Sequence, residues 1–85
     1  MAKSSNTFLL SEARLEQIRC RLGHEIRERR RAAGLTQAEL GRPLTRAYVG
    51  MLEAGLALPS LPTLIVLAER LGITPEELIH SVNRS

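Results

Sequence analysis

The longest amphipathic pattern in the chain occupies residues 11–33. Its apolar positions recur at steps of three and four residues, at Leu15, Ile18, Leu22 and Ile26. This spacing is typical of one face of an α-helix. Ser11 is suited to cap the start of that helix and Gly34 to end it. Gly23 lies inside the pattern, where it costs about 1 kcal/mol relative to alanine, and it could split the helix in two.

Two shorter helices are predicted in the middle of the chain. Thr36 followed by Glu39 is a capping-box signal, and Pro43 cannot continue a helix, so a second helix is predicted at about residues 37–41. Thr45 is the next residue suited to cap a helix. The buried side of this third helix is marked by Tyr48, Val49 and Leu52, and the helix is predicted to end near Gly55.

Two further helices complete the pattern. Ser60 is suited to cap the fourth helix, which is predicted to close at Gly72. Its apolar positions are Leu61, Leu64, Ile65, Leu67, Ala68 and Leu71. This broad apolar face predicts the central helix of the core. Thr74, Pro75 and Glu77 combine a cap, a first-turn proline and a capping box, so they predict a fifth helix. Five short helices with brief connectors predict an all-α domain.

The basic residues are concentrated in the first part of the chain. Residues 1–35 hold eight Lys/Arg and four Glu, a balance of +4, whereas residues 36–85 hold four Arg and five Glu, a balance of −1. Such an asymmetry is expected when one edge of a protein faces a polyanion such as nucleic acid. Charge alone predicts a solvated helix face equally well.

Other classes of protein find little support in the sequence. No apolar run is long enough to span a membrane. The single cysteine, Cys20, fits a reducing cytoplasm. His24 and His80 have no partners at metal-ligand spacing, so we expect no metal, no cofactor and no catalytic residue. Residues 1–10 lack periodicity and are predicted to be a flexible arm, which leaves residues 11–85 as the domain.

An ordered series of motifs resembles the Cro/C1-type (Xre) helix-turn-helix domain of phage repressors and bacterial regulators. The resemblance covers about residues 22–80. The motifs are Gly34-Leu35-Thr36-Gln37-Ala38-Glu39-Leu40, Thr45-Arg46-Ala47-Tyr48-Val49, Leu52-Glu53-Ala54-Gly55, Pro59-Ser60-Leu61-Pro62-Thr63-Leu64 and Leu67-Ala68-Glu69-Arg70-Leu71-Gly72-Ile73. The resemblance implies a compact five-helix, lambda-repressor-like fold, here with an N-terminally extended first helix. It also implies a cytoplasmic, nucleoid-associated regulator that binds double-stranded DNA as a homodimer.

The expected DNA contacts follow from helix faces and from the resemblance. If the third helix, residues 46–54, buries Val49 and Leu52, its outward side chains can enter a major groove. Arg46 is the side chain best suited to bind DNA there, because it can pair with a guanine edge or contact a phosphate. The resemblance implies a phosphate contact for Gln37 and a salt bridge between Arg30 and Glu53. The full set of expected contacts is Arg27, Arg30, Arg31, Gln37, Arg42, Thr45, Arg46, Ala47, Tyr48, Gly50 and Met51.

Two departures from the family pattern affect these expectations. The connection between the second and third helices is about two residues shorter than usual, so we expect a modified turn. The loop at residues 54–58 carries no phosphate donor. Leu56 and Leu58 in that loop, with Ile79, are expected to meet a second copy or a protein partner, or alternatively the two loop leucines pack onto their own core beside Leu61.

Three functional alternatives therefore stay open at the level of sequence. The first is a dimeric repressor that reads a pseudo-palindromic site. The second is an autoregulating antitoxin, with a toxin as its partner, or the controller of a restriction–modification system. The third is a protein-interaction module that keeps the fold and binds DNA weakly.

Overall fold

In the computed structural model, which describes residues 10–83, the chain folds into five α-helices and a closing 3₁₀ turn. The elements are α1 (Glu12–Ala32), α2 (Gln37–Gly41), α3 (Arg46–Glu53), α4 (Leu61–Leu71), α5 (Pro75–His80) and the 3₁₀ turn Ser81–Asn83. No strand occurs in this range. The predicted all-α fold with a long first helix is confirmed. The predicted arm falls, except for Leu10, outside the described residues.

Every α-helix begins at the residue predicted to cap it. The side chains of five residues each accept a hydrogen bond from the backbone N–H three positions further on: Ser11, Thr36, Thr45, Ser60 and Thr74. Each bond satisfies a backbone donor that the first helical turn leaves unpaired. Thr36 and Thr74 also form the predicted capping boxes with Glu39 and Glu77. Local sequence therefore determines where the helices start.

The core lies where all five helices meet. Ten apolar side chains are buried there, and α4 contributes four of them: Leu64, Leu67, Ala68 and Leu71. The prediction of a broader apolar face on α4 is wrong at two positions, because Leu61 is 64% exposed and Ile65 is 37% exposed. Ile65 lies beside the buried stripe, and Leu61 is the first residue of α4.

The first helix is continuous through Gly23, so the split that this glycine suggested does not occur. Gly23 is buried where α1 crosses the end of α3. A Cβ atom at this position would overlap the carbonyl oxygen of Leu52 and would lie 2.8 Å from that of Glu53. Glycine is therefore present because the backbones of α1 and α3 approach each other too closely for any side chain.

The shortened connection between α2 and α3 is an intact, modified turn. The N–H of Leu44 donates to the carbonyl of Gly41, and the peptide bond between Arg42 and Pro43 is cis. A Cβ atom at Gly41 would lie 2.5 Å from Cγ2 of Val49, so α2 packs closely onto α3. Arg70 of α4 donates to the carbonyl of Leu40 at 3.1 Å. The turn thus keeps α2 and α3 in contact with the rest of the domain.

Candidate nucleic-acid interface

The end of α3 is tied to α1 by a two-pronged ion pair between Arg30 and Glu53. Arg30 Nε lies 2.6 Å from Glu53 Oε2, and Arg30 Nη2 lies 3.1 Å from Glu53 Oε1. Arg30 Nη1 also donates to the carbonyl of Leu35 at 2.9 Å. The Arg30 side chain is 13% exposed and that of Glu53 is 4% exposed. The salt bridge that the family resemblance implied is therefore present, and it is nearly excluded from solvent.

Gln37 joins the same network from the first position of α2. Its Nε2 donates to Glu53 Oε1 at 3.0 Å, so the carboxylate is hydrogen-bonded from both α1 and α2. Burial raises the pKa of Glu53, but the hydrogen bonds from Arg30 and Gln37 outweigh burial and hold that pKa below its ordinary value. The hydrogen bond from Arg30 to Glu53 raises the pKa of the guanidinium in turn. Both groups stay charged at neutral pH.

The outer face of α3 is the side predicted to point away from the core. Val49 and Leu52 are buried, whereas three side chains are exposed: Arg46, Ala47 and Met51. Gly50 is half-buried, and so is Tyr48, which packs against the core. Arg46 makes no side-chain hydrogen bond or ion pair within residues 10–83, so its donors are available to another molecule.

An open cleft lies between the starts of α2 and α3. Its lining consists of Arg30, Thr36, Gln37, Ala38 and Arg46. Arg46, which has no side-chain partner among residues 10–83, therefore lines the same cleft as Gln37, whose amide is hydrogen-bonded to Glu53. Three of the predicted contact residues, Arg30 of α1, Gln37 of α2 and Arg46 of α3, thus line one concave surface.

Three further arginines among the expected contacts are exposed on α1 and at the end of α2. Arg27 and Arg31 are exposed on successive turns of α1, and Arg42 is exposed where α2 ends. None of the three makes a side-chain hydrogen bond or ion pair within residues 10–83. Arg27 is close enough to Glu53 for its charge to contribute to the lowered pKa of that carboxylate. Arg29 differs, because it pairs with Glu25 at 2.8 Å.

The loop after α3 exposes leucines where a phosphate donor would be expected. Leu56 is 69% exposed and Leu58 is 42% exposed. The alternative that both pack onto their own core beside Leu61 is wrong, since Leu61 is itself 64% exposed. Only Ala57 of this loop packs against the core. Ile79 on α5, the third residue expected at a protein contact, is 42% exposed.

One support of α3 was not predicted from the sequence. Arg19 Nε donates to the carbonyl of Gly55 at 3.1 Å, directly after α3 ends. Gly55 has φ +78°, and a Cβ atom there would lie 3.0 Å from Cys20 Sγ. Glycine is favoured by this left-handed conformation and by the closeness of α1. No sequence pattern marks the contact, because the partners lie 36 residues apart.

These features together define a DNA-binding helix-turn-helix domain, in which α2, the turn and α3 form the motif. A family model described as helix-turn-helix matches residues 26–78. The match covers more than half of the chain, and the chain belongs to the Cro/C1-type helix-turn-helix family. The matched range includes both Arg30 and Glu53 as well as the whole outer face of α3. Among curated proteins, none matches this chain.

Family membership supports a DNA-binding regulator, with DNA as its partner. Helices long and apolar enough to cross a membrane are absent from the part of the chain that the structure describes. That same part contains no group of three or more His, Cys, Asp or Glu residues that could hold a metal ion.

Proposed function

We propose that this protein is a sequence-specific transcriptional regulator, a dimeric repressor that inserts α3 into the major groove. The observation that carries the proposal is the exposed outer face of α3, supported by the nearly buried Arg30–Glu53 pair. A helix that recognises bases has to be held rigidly, because each base contact depends on the position of a side chain. Such a regulator acts in the cytoplasm, on the DNA of the nucleoid.

The roles of the contact residues follow from their surroundings. Arg46 is exposed and has no internal partner within the described residues, which suits a bidentate contact to a guanine edge. Arg27, Arg31 and Arg42 are exposed and suit phosphates. Arg30 is committed to Glu53 and Leu35, so we assign it to orienting α3. The remaining contacts fall to Gln37, Thr45, Ala47, Tyr48, Gly50 and Met51.

The proposed dimer contact consists of the exposed residues Leu56 and Leu58 of the loop, together with Ile79 of α5. Residues 54–68, which include both leucines, contain no charged side chain, although 25% of the residues of the whole chain are charged. An uncharged apolar surface can meet its own copy without repulsion between like charges. Full burial of one leucine stabilises association by about 1.5–3 kcal/mol. These exposed apolar side chains therefore make a second copy a favourable partner.

The direct test is to select duplexes from a random-sequence pool with the purified protein, and to measure affinity by fluorescence anisotropy. We expect one consensus with two related half-sites about one helical turn apart. Specific affinity should exceed that for random duplex by about a thousandfold or more. Sedimentation of the complex should give two protein chains per duplex. Enrichment of no sequence would contradict the proposal.

The exposed loop favours a second candidate function, a protein-interaction module that binds DNA weakly. Leu56, at 69% exposure, stands in the loop that lacks a phosphate donor. The same selection experiment separates the two functions, because this candidate predicts similar, weak affinity for all duplexes.

A further inference from the structure

The first part of α1, residues 12–20, precedes the region that the family shares, and we call it the α1 extension. The family model matches residues 26–78, so the whole extension lies before the match. None of its residues is buried in the core. Arg19 contacts Gly55, directly after α3 ends, and residues 12–18 continue α1 for about 10 Å past that contact. The extension therefore adds surface to the domain rather than core.

Leu15 and Ile18 continue the apolar stripe of α1 into the extension. The same stripe is buried at Leu22 and Ile26, which belong to the core. Positions three, four and seven residues apart share one face of a helix, so all four side chains point to the same side of α1. Leu15 and Ile18 are only half-buried, and within residues 10–83 they are not among the side chains that pack against the core. The extension thus presents two large aliphatic side chains that the core does not enclose.

The extension is hydrogen-bonded to the loop that carries Leu56. Arg19 Nε donates to the carbonyl of Gly55 at 3.1 Å. The N–H of Leu56, in the same peptide group, donates to the carbonyl of Met51 at 2.9 Å. Both polar groups of this peptide are thus paired, one with the extension and one with α3. These bonds hold Leu56 in a defined position beside the extension.

The 3₁₀ turn that follows α5 lies on the other side of the apolar stripe. Arg21 Nη1 donates to the carbonyl of Val82 in that turn at 3.3 Å. Successive residues of a helix project about 100° apart, so the directions of Leu15 and Ile18 fall between those of the two arginines. The turn directly follows α5, which carries Ile79. The two half-buried side chains therefore point between the two segments that form the proposed dimer contact.

The proposed dimer contact needs more surface than its three exposed residues provide. A stable interface buries about 800 Å² on each partner, contributed by about 20–30 residues. Leu56, Leu58 and Ile79 are three side chains, and two of them are less than half exposed. Further apolar surface has to lie next to them if two copies are to stay together. The α1 extension is the adjoining element that supplies it.

The charge of α1 changes along its length in a way that suits a second copy at the extension. Residues 12–20 hold two Glu and two Arg, a balance of zero, whereas residues 21–32 hold five Arg and two Glu, a balance of +3. The basic part favours a polyanion, and two copies of it would repel each other. The extension can meet its own copy without that repulsion, because it carries equal numbers of both charges.

We propose that the α1 extension is a dimerisation element, in which Leu15 and Ile18 pack against a second copy of this chain. With Leu56, Leu58 and Ile79 they form one apolar surface around the first half of α1. The inference rests on the proposed function, because it requires the dimer. It adds to the contact an element that lies outside the family match.

The first test is Leu15→Asp, with sedimentation to measure the dimer dissociation constant. We expect that constant to rise by about tenfold or more, because a charge replaces an apolar contact. Ala13→Asp is the matched control, since Ala13 is exposed on the opposite side of α1, and it should keep the dimer. On DNA, Leu15→Asp should weaken binding to the selected duplex, while affinity for a duplex with one half-site stays unchanged. A general loss of structure would lower both affinities.

The second variant, Leu15→Ala, removes the apolar contact without adding a charge. Alanine favours a helix, so the thermal midpoint Tm should stay close to that of the wild type. We expect the dimer dissociation constant to rise by about threefold or more. Gln17→Ala, at an exposed position on the other side of α1, is its control and should keep the dimer.

The outcomes separate this inference from the function on which it rests. A wild type that stays monomeric, both free and on the selected duplex, contradicts the proposed dimer and the inference together. A wild-type dimer that Leu58→Asp dissociates, while both Leu15 variants keep it, overturns the inference and leaves the proposed function standing. Equal losses in Leu15→Asp and Ala13→Asp, with none in Leu15→Ala, overturn the inference as well.

Discussion

Glu53, the last residue of α3, accepts two hydrogen bonds from the Arg30 guanidinium on α1 and is 4% exposed at its side chain. Three N–H groups of Arg30 are used within the protein, two on Glu53 and one on the carbonyl of Leu35. This nearly buried ion pair therefore helps to fix the orientation of α3. Removing one partner leaves an uncompensated charge in a poorly solvated place.

Arg30→Ala should lower the free energy of unfolding by about 3–5 kcal/mol, because it leaves the Glu53 carboxylate without its ion-pair partner. That is a large fraction of the stability of a small domain, and urea denaturation measures it. Arg29→Ala is the matched control, since it breaks the more exposed pair with Glu25 and should change the midpoint much less. Equal losses in the two variants would show that the Arg30–Glu53 pair has no special role.

Acid should weaken the protein in a way that depends on Glu53. The folded-state pKa of Glu53 lies below its ordinary value, so its contribution to stability is present above the unfolded pKa, about 4.3. That contribution is lost as pH falls through the folded pKa. Urea midpoints measured between neutral pH and about pH 3 should therefore fall less steeply for Glu53→Gln than for the wild type.

The remaining acid dependence of Glu53→Gln has its own source. Glu39 and Glu77 also have lowered pKa values, because each accepts hydrogen bonds within a capping box. Both groups lose that stabilisation on protonation, so the variant keeps part of the slope. Identical pH profiles for the variant and the wild type would mean that the Arg30–Glu53 pair contributes nothing to the acid response.

The helix starts could be predicted from the sequence because each cap is a local interaction. The hydrogen bond from the Glu39 N–H to Thr36 spans three residues, and that spacing can be read directly from the sequence. Helical periodicity likewise predicts that Arg46 and Met51 lie on the exposed side of α3. The family motifs added the Arg30–Glu53 pair, which periodicity alone does not indicate.

The features that the sequence did not predict depend on contacts between distant residues. Gly23 suggests a break in α1 until the carbonyls of Leu52 and Glu53 are seen beside it. The hydrogen bond from Arg19 to Gly55 likewise joins residues that are far apart in the sequence. The exposure of Leu61 depends on which part of α4 the other helices cover, and an apolar residue in a helical pattern carries no such information.

Arg46→Ala tests whether the Arg46 side chain contacts a base edge or a phosphate. If Arg46 pairs with a guanine edge, the variant should lose about 1–3 kcal/mol of binding free energy on the selected duplex and much less on random duplex. Fluorescence anisotropy on both duplexes measures the difference. Folding should be unaffected, because Arg46 is exposed and makes no internal hydrogen bond within the described residues. Equal losses on the two duplexes would assign Arg46 to a phosphate.

Binding should weaken steeply with salt if Arg27 and Arg31 contact phosphates. Each contact adds about 0.9 to the slope of log affinity against log salt concentration, so Arg27→Gln or Arg31→Gln should flatten that slope by about one unit. Arg29→Gln is the control, because Arg29 pairs with Glu25 and lines a different cleft, with Glu76, Glu77 and His80. The same slope in all three variants would place the phosphate contacts elsewhere.

The dimer contact is tested by Leu58→Asp, with sedimentation to measure mass and thermal melting to measure stability. Leu58 is 42% exposed, so the substitution should leave the monomer folded while it places a charge in the proposed apolar interface. We expect the dimer dissociation constant to rise by about tenfold or more, since burial of one leucine stabilises association by about 1.5–3 kcal/mol. Leu56→Asp should behave in the same way.

The matched control for this prediction is Val66→Asp. Val66 is 39% exposed on α4, close to the exposure of Leu58, but it lines the groove shared with Pro43 and Leu44 of the α2–α3 turn. Val66→Asp should therefore keep the dimer. An unchanged dimer in Leu58→Asp contradicts the interface. Dissociation in all three variants would point instead to a general effect of added negative charge on an apolar surface. A contact through Leu56 and Leu58 is supported only if the two loop variants lose the dimer and Val66→Asp keeps it.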